Sequence, residues 1–237
     1  MSVYTRSNVR PDRGQRLARR SVLGGLASLS ASGMTGLAKA AAPALPVPDT
    51  GSLAFRIRRN DKDIGSHRLT FRQDGDNLLV DVAVDIVVAF GPIPVFRYVH
   101  RASETWRDGV LVAADGKTND DGKRESMMAR LGPDGLVVQG TTGGRYIAPP
   151  GAMTANHWNH RELAVPVINP QGGRLLRPIV IAFPEEPVAL ASGQKIAARR
   201  FNLSGDAKLD LWYDRTETWT ATRFVAEDGS IVLYERI

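Results

Sequence analysis

Cysteine is absent from the 237 residues. That absence excludes thiol catalysis, iron–sulfur ligation, cysteine-bound zinc and disulfide stapling. Histidine is scarce, at four, so imidazole chemistry is confined to His67, His100, His157 and His160. No stretch supplies the roughly 20 mostly apolar residues that a membrane-crossing helix needs. Excess charge is also missing once the first 40 residues are set aside. The chain holds 31 Lys+Arg and 25 Asp+Glu, and residues 1–40 account for seven of the bases and one acid, leaving 24 of each. Binding to phosphate backbones requires a basic face, so no nucleic-acid partner is expected, and the pI of about 9.9 belongs to the N-terminal segment.

That segment reads as a leader. Arg6, Arg10, Arg13, Arg16, Arg19 and Arg20 form a basic region, and residues 22–37 form a short apolar region diluted by Gly and Ser. Ala38-Lys39-Ala40 has the small-x-small form of a cleavage site. The paired Arg19 and Arg20, the weak apolar core and the late Lys39 point to export by the twin-arginine translocase. The expectation is a periplasmic protein with no stable membrane span in its mature form. Residues 1–40 are then the signal peptide, the Ala/Pro-rich residues 41–51 a linker, and residues 52–237 one domain. About 190 residues bury enough surface to fold without disulfides.

From Ser52 onward the pattern is that of strands. Leu53, Phe55 and Ile57 alternate with polar neighbours, and Val80, Val82, Val84, Ile86 and Val88 share one face of a long strand. Asp74-Gly75-Asp76-Asn77 marks a hairpin, and Gly/Asp turns recur along the chain. Residues 148–173 break this rhythm with several prolines and glycines, and predict a crossing segment with one short helix near 156–163. Many strands with short turns predict an all-β domain, an antiparallel sheet curled into a half-barrel or barrel with little helix beyond the leader.

The ordered pieces Asp63-Ile64-Gly65-Ser66-His67, Tyr98-Val99-His100, Glu104-Thr105-Trp106, Thr118-Asn119-Asp120-Asp121-Gly122, Trp158-Asn159, Leu209 to Asp214 and Tyr234 carry a resemblance. Together they are similar to the exported bacterial "domain of unknown function" family 6134, over about residues 52–237. The resemblance implies a periplasmic all-β half-barrel wrapped round an apolar cavity. It implies no activity and no catalytic residue.

Residues 95–106 are the most unusual strand. Alternation sets Phe96, Tyr98, His100, Glu104 and Trp106 on one face, with Arg97 and Arg101 on the other. Arginine favours water, so the aromatic face is expected to point inward. His100 and Glu104 then lie about 13 Å apart along the strand, too far for a direct acid–base pair. Two readings of this face stand side by side: a satisfied buried polar network, or the lining of a site. His157-x-x-His160 with Glu162 nearby has the spacing of a metal half-site, but a site wants three or more ligands. Trp158 reads better as a plug with Asn159 capping a turn, and no metal or other cofactor is expected. Residues 118–122 lack the alternating ligands of a calcium loop. Residues 140–144 are not followed by the Lys-Ser/Thr of a phosphate loop.

Three functions follow in order. The first is a periplasmic binding or carrier protein for a small apolar or amphipathic ligand, such as a lipid fragment or an isoprenoid. Its cavity would be lined by Phe96, Tyr98, His100, Glu104, Trp106, Trp158, Asn159 and Trp212. The second is an enzyme using His100 as acid or base, Glu104 to orient it and Asn159 as a polar contact. The third is a structural or assembly protein that pairs through a sheet edge.

Overall fold

The alternation of apolar and polar residues runs almost unbroken from residue 52 to residue 147, and each alternating stretch is a strand. The computed structural model describes residues 44–237; the leader, including Arg19 and Arg20, and residues 41–43 lie outside the described residues. Eight strands follow in succession: β1 (Ser52–Arg59), β2 (Lys62–Asp74), β3 (Asn77–Phe90), β4 (Ile93–Arg107), β5 (Val110–Asp120), β6 (Lys123–Gly132), β7 (Gly135–Gly140) and β8 (Gly144–Ile147). Tight turns connect them. At Asp108-Gly109 and Asp121-Gly122 both central residues have positive φ, between 50° and 92°, the hairpin turn whose twist matches that of the flanking strands.

A strap then crosses to the far side. It contains β9 (Met153–Thr154), a 3-10 helix at His160–Ala164, β10 (Val167–Ile168) and β11 (Leu175–Leu176), and its three short strands form a small sheet of their own. The helix begins later than the expected 156–163, because Asn159 caps it by accepting the Arg161 N–H. The chain continues through β12 (Ile179–Ala189), β13 (Lys195–Ser204), β14 (Leu209–Asp214), β15 (Trp219–Val225) and β16 (Ile231–Arg236).

These strands join the first eight in one antiparallel sheet of 13, in the order β12 to β16, then β1 to β8. The first and last strands are thus neighbours at its middle, with Phe55 opposite Arg236 and Ile57 opposite Tyr234. β12 and β8 are its two edges, so the sheet is curled but not closed. No helix among the described residues is long and apolar enough to cross a membrane.

The inner face buries Phe55, Ile57, Leu69, Val80, Val82, Val84, Ile86, Tyr98, Trp106 and Leu211, with the strap packed over them. The outer face carries the arginines. Arg101 grips both Asp85 oxygens at 2.8 and 2.9 Å, and Arg130 repeats the arrangement on Asp115 at 2.9 and 2.7 Å. Alternation therefore sets the side each residue takes, except where a bulge shifts the register, as between β4 and β5 at Thr105/Trp106.

Backbone-on-backbone contact seats the strap. A Cβ on Gly116 would lie 2.0 Å from the Pro170 carbonyl oxygen, and one on Gly140 would lie 2.2 Å from that of Gly172. A glycine inside a strand often marks such close approach. The Gly172 carbonyl also accepts the N–H groups of Thr142 and Gly143 at 3.0 and 2.9 Å.

Candidate functional site

Strand register arranges the inner face in rows. One row runs Phe71, Val80, Glu104, Ala114 and Ala129; another runs His67, Val84, His100 and Thr118. The two rows have different fates, because the strap covers them differently.

The Glu104 row is a closed polar knot. Glu104 is 2% exposed. One carboxylate oxygen accepts the indole N–H groups of Trp106 and Trp158 at 2.8 and 2.9 Å, and the other accepts Thr154 Oγ1 and Asn156 Nδ2. Four donors match the roughly four acceptor positions of a carboxylate. Burial pushes the Glu104 carboxyl up from its ordinary value, and the bonds from Thr154, Trp158, Trp106 and Asn156 pull against that rise. Trp158 meets Trp106 and Phe71 edge-on, each pair with ring centres 5.3 Å apart. Glu104 thus ties strap to sheet under two tryptophans.

The His67–His100 row stays open. A cavity lies against it, lined also by Tyr98, Asn156, His157, Gln171, Trp219 and Tyr234. Its volume, measured at the centres of water-sized occupants, is about 80 Å³. One water needs ~10–15 Å³ on that measure, while drug-sized ligands use roughly 300 Å³ or more. The space takes a group of a few heavy atoms, not a whole lipid or isoprenoid chain.

His67 and His100 are 6% and 3% exposed. His100 Nδ1 lies 2.8 Å from Thr118 Oγ1, and the Nε2 atoms of both histidines are buried without a hydrogen-bond partner. Burial first, then the nearby Arg101 charge, lowers His100 to about 4. Burial first, then His157 and His100, holds His67 well below its ordinary value. Both rings are neutral at pH 7. Neither lysine nor arginine is among the lining residues.

The strap supplies the remaining wall. His157 stands at φ 65°, a left-handed conformation uncommon outside glycine, though Asn, Asp and His adopt it more readily than other side chains. Its backbone N–H and its Nδ1 both meet Glu162, at 3.0 and 2.5 Å, and Glu162 is 4% exposed. His160 turns away from His157, with Nδ1 3.2 Å from the Glu217 carboxylate. The two histidines share no helical face, since His157 precedes the helix. Among the described residues no three His, Asp or Glu side chains are placed to hold a metal ion.

Of the residues expected to line a pocket, Tyr98 and His100 face the cavity. Glu104, Trp106 and Trp158 form the knot, beyond the intervening row of Leu69, Val82, Ala102 and Gly116. Asn159 is buried as the helix cap, and Phe96 is half-buried against the core. Trp212 lies on the opposite face, packed with Ala198 and Ala221, and donates to Glu186 Oε1 at 2.7 Å. His67, Asn156, His157 and Gln171 are cavity residues that the strand pattern of β4 does not reveal.

The profile of the domain of unknown function DUF6134 matches residues 55–237. The chain belongs to this family. Among solved structures, this DUF6134 domain is similar to a β-barrel-like protein of the domain of unknown function DUF1849 from Brucella abortus. That likeness has a TM-score of 0.55 at 9% identity and covers 78% of this chain and 94% of the other. At that identity it shows the fold alone. No curated protein matches the chain.

Proposed function

We propose that the DUF6134 domain is a binding protein. It holds the head of a small, neutral, amphipathic ligand between the sheet and the strap. The single observation that carries this reading is the pair of buried, unpartnered Nε2 atoms on His67 and His100, beside a cavity in the same row. A buried polar atom left without a partner costs roughly 1–3 kcal/mol, and a ligand's hydroxyl or carbonyl recovers that loss. Trp219, Phe224 and Tyr234 offer rings for the apolar part. A charged head fits poorly, because an anion would meet no cation among the lining residues.

This reading extends to location: the protein travels by the twin-arginine translocase, using Arg19 and Arg20, and works in the periplasm. The test is native mass spectrometry of protein isolated from periplasm, joined to a titration of the imidazole resonances with a short aliphatic alcohol. A co-purifying small molecule, or movement of the His67 and His100 signals, supports the reading. A ligand-free protein whose two signals ignore the alcohol ends it.

A further inference from the structure

The cavity holds a third imidazole whose setting differs from the other two. Glu162 accepts from His157 twice, through the backbone N–H and through Nδ1. A carboxylate on Nδ1 fixes the tautomer and leaves Nε2 as the bare, basic nitrogen. Tyr213 adds a hydrogen bond from its hydroxyl to the His157 carbonyl at 2.9 Å, so the residue is held from three sides. It is held in a left-handed backbone, and strain of that kind collects at functional sites. The His157 ring meets Trp219 edge-on at 5.4 Å, and the His67 ring meets the same indole at 5.1 Å. The three imidazoles therefore converge on one small space.

Building on the ligand-binding reading, we propose that this cavity hydrolyses a small neutral ester, with His157 as general base, Glu162 as its positioning residue, and His67 and His100 as donors to the carbonyl oxygen. This role for His100 requires the Thr118 hydroxyl to donate to His100 Nδ1, 2.8 Å away, which puts the ring proton of His100 on the unpartnered Nε2. The chemistry balances without a further reactant. Water oxygen bonds to the acyl carbon while His157 Nε2 takes a water proton. The carbon–oxygen bond to the leaving group then breaks, and His157 returns the proton to the departing oxygen, leaving a carboxylic acid and an alcohol. Thr222 is a lining hydroxyl engaged by the Trp219 indole N–H at 3.0 Å, and the proposed nucleophile is water. The neutral lining and the volume of about 80 Å³ restrict the acyl group to a few heavy atoms.

The test uses p-nitrophenyl acetate and the purified full chain. His157→Asn is the chosen variant, because Asn tolerates positive φ. It should lose roughly tenfold or more of the rate, general acid–base catalysis being worth at least that. Glu162→Gln should lower the rate and displace the pH profile, and His160→Asn should match the wild type. Equal rates for wild type and His157→Asn overturn the proposal. A second measurement needs no variant: ¹⁵N spectra of the imidazoles should show His157 protonated at Nδ1 and bare at Nε2, and the opposite tautomer also overturns it. Methyl acetate, a sluggish ester, separates the two readings. If it moves the His67 and His100 signals while His157→Asn hydrolyses as fast as wild type, binding stands and catalysis falls. If it moves neither, both fall.

Discussion

Acid should unfold this domain through His100, and the size of the effect follows from the structure. An unfolded chain protonates a histidine near 6.5, whereas the folded protein keeps His100 neutral down to about 4. Between those values the unfolded state binds more protons than the folded one, so stability rises with pH across the window and is lost on acidification. Carrying the protein from pH 7 to pH 4.5 removes roughly 2 kcal/mol through this one group. His67 acts in the same direction, because burial lowers it too. Glu104 opposes them. Its raised carboxyl takes up a proton in the folded state first, which favours folding as pH falls through its own window. The wild-type curve is thus a sum, and a variant isolates the His100 part. His100→Asn keeps an amide near Nδ1 for Thr118 and does not titrate. Urea unfolding followed by tryptophan fluorescence, extrapolated to water at both pH values, should give a pH-dependent loss roughly 2 kcal/mol smaller in the variant. Parallel curves for the two proteins would refute the assignment of a buried neutral imidazole.

Glu104→Gln should destabilise by about 3 kcal/mol, because the new amide turns its N–H groups toward two of the four buried donors and leaves them unsatisfied; thermal unfolding would show it, and an unchanged midpoint would mean the knot is not formed. Gly116→Ala should cost about 2 kcal/mol or more, since its Cβ has the Pro170 carbonyl in its way at 2.0 Å, and hydrogen exchange should rise along residues 169–173 specifically. Replacing Arg19 and Arg20 by lysine should hold the precursor in the cytoplasm, as cell fractionation would report; normal export of the double variant would discard the twin-arginine assignment.

The sheet was legible because its signal is local. Period-2 alternation in β3 and β4 fixes which side each residue faces, so the burial of Tyr98, His100, Glu104 and Trp106 could be read from one strand. The same rule held the answer for Trp212, which shares parity with Asp210 and opposes Leu209, Leu211 and Tyr213; its size as an aromatic outweighed its position in the reading. The strap was legible as a crossing segment over residues 148–173, but its seating on the sheet was not. What places Asn156, His157 and Gln171 against the sheet is contact across many residues of sequence, and no periodicity encodes it. One trace did exist. Gly116 and Gly140 sit on strand positions where a side chain would ordinarily pack, and a glycine there marks the path of another backbone. His67 was equally hidden, because its partnership with His100 passes through Val84 on the strand between them.

The neighbouring places of β1 and β16 have a kinetic consequence. The two strands are joined in space and separated by nearly the whole domain, with Arg56 bound to Glu235 at 2.7 Å across 179 positions of sequence. Such pairings raise the mean sequence separation of contacts, which slows folding. A ribosome emitting this chain releases β1 long before its partner exists, and β1 leaves that flank exposed until Ile231–Arg236 emerges. The two halves of the sheet then meet in one late step rather than growing strand by strand. A permuted chain, with Ile237 joined to Ser52 through a short loop and new ends opened in the strap, would turn that seam into a hairpin. It should fold faster while keeping the same sheet.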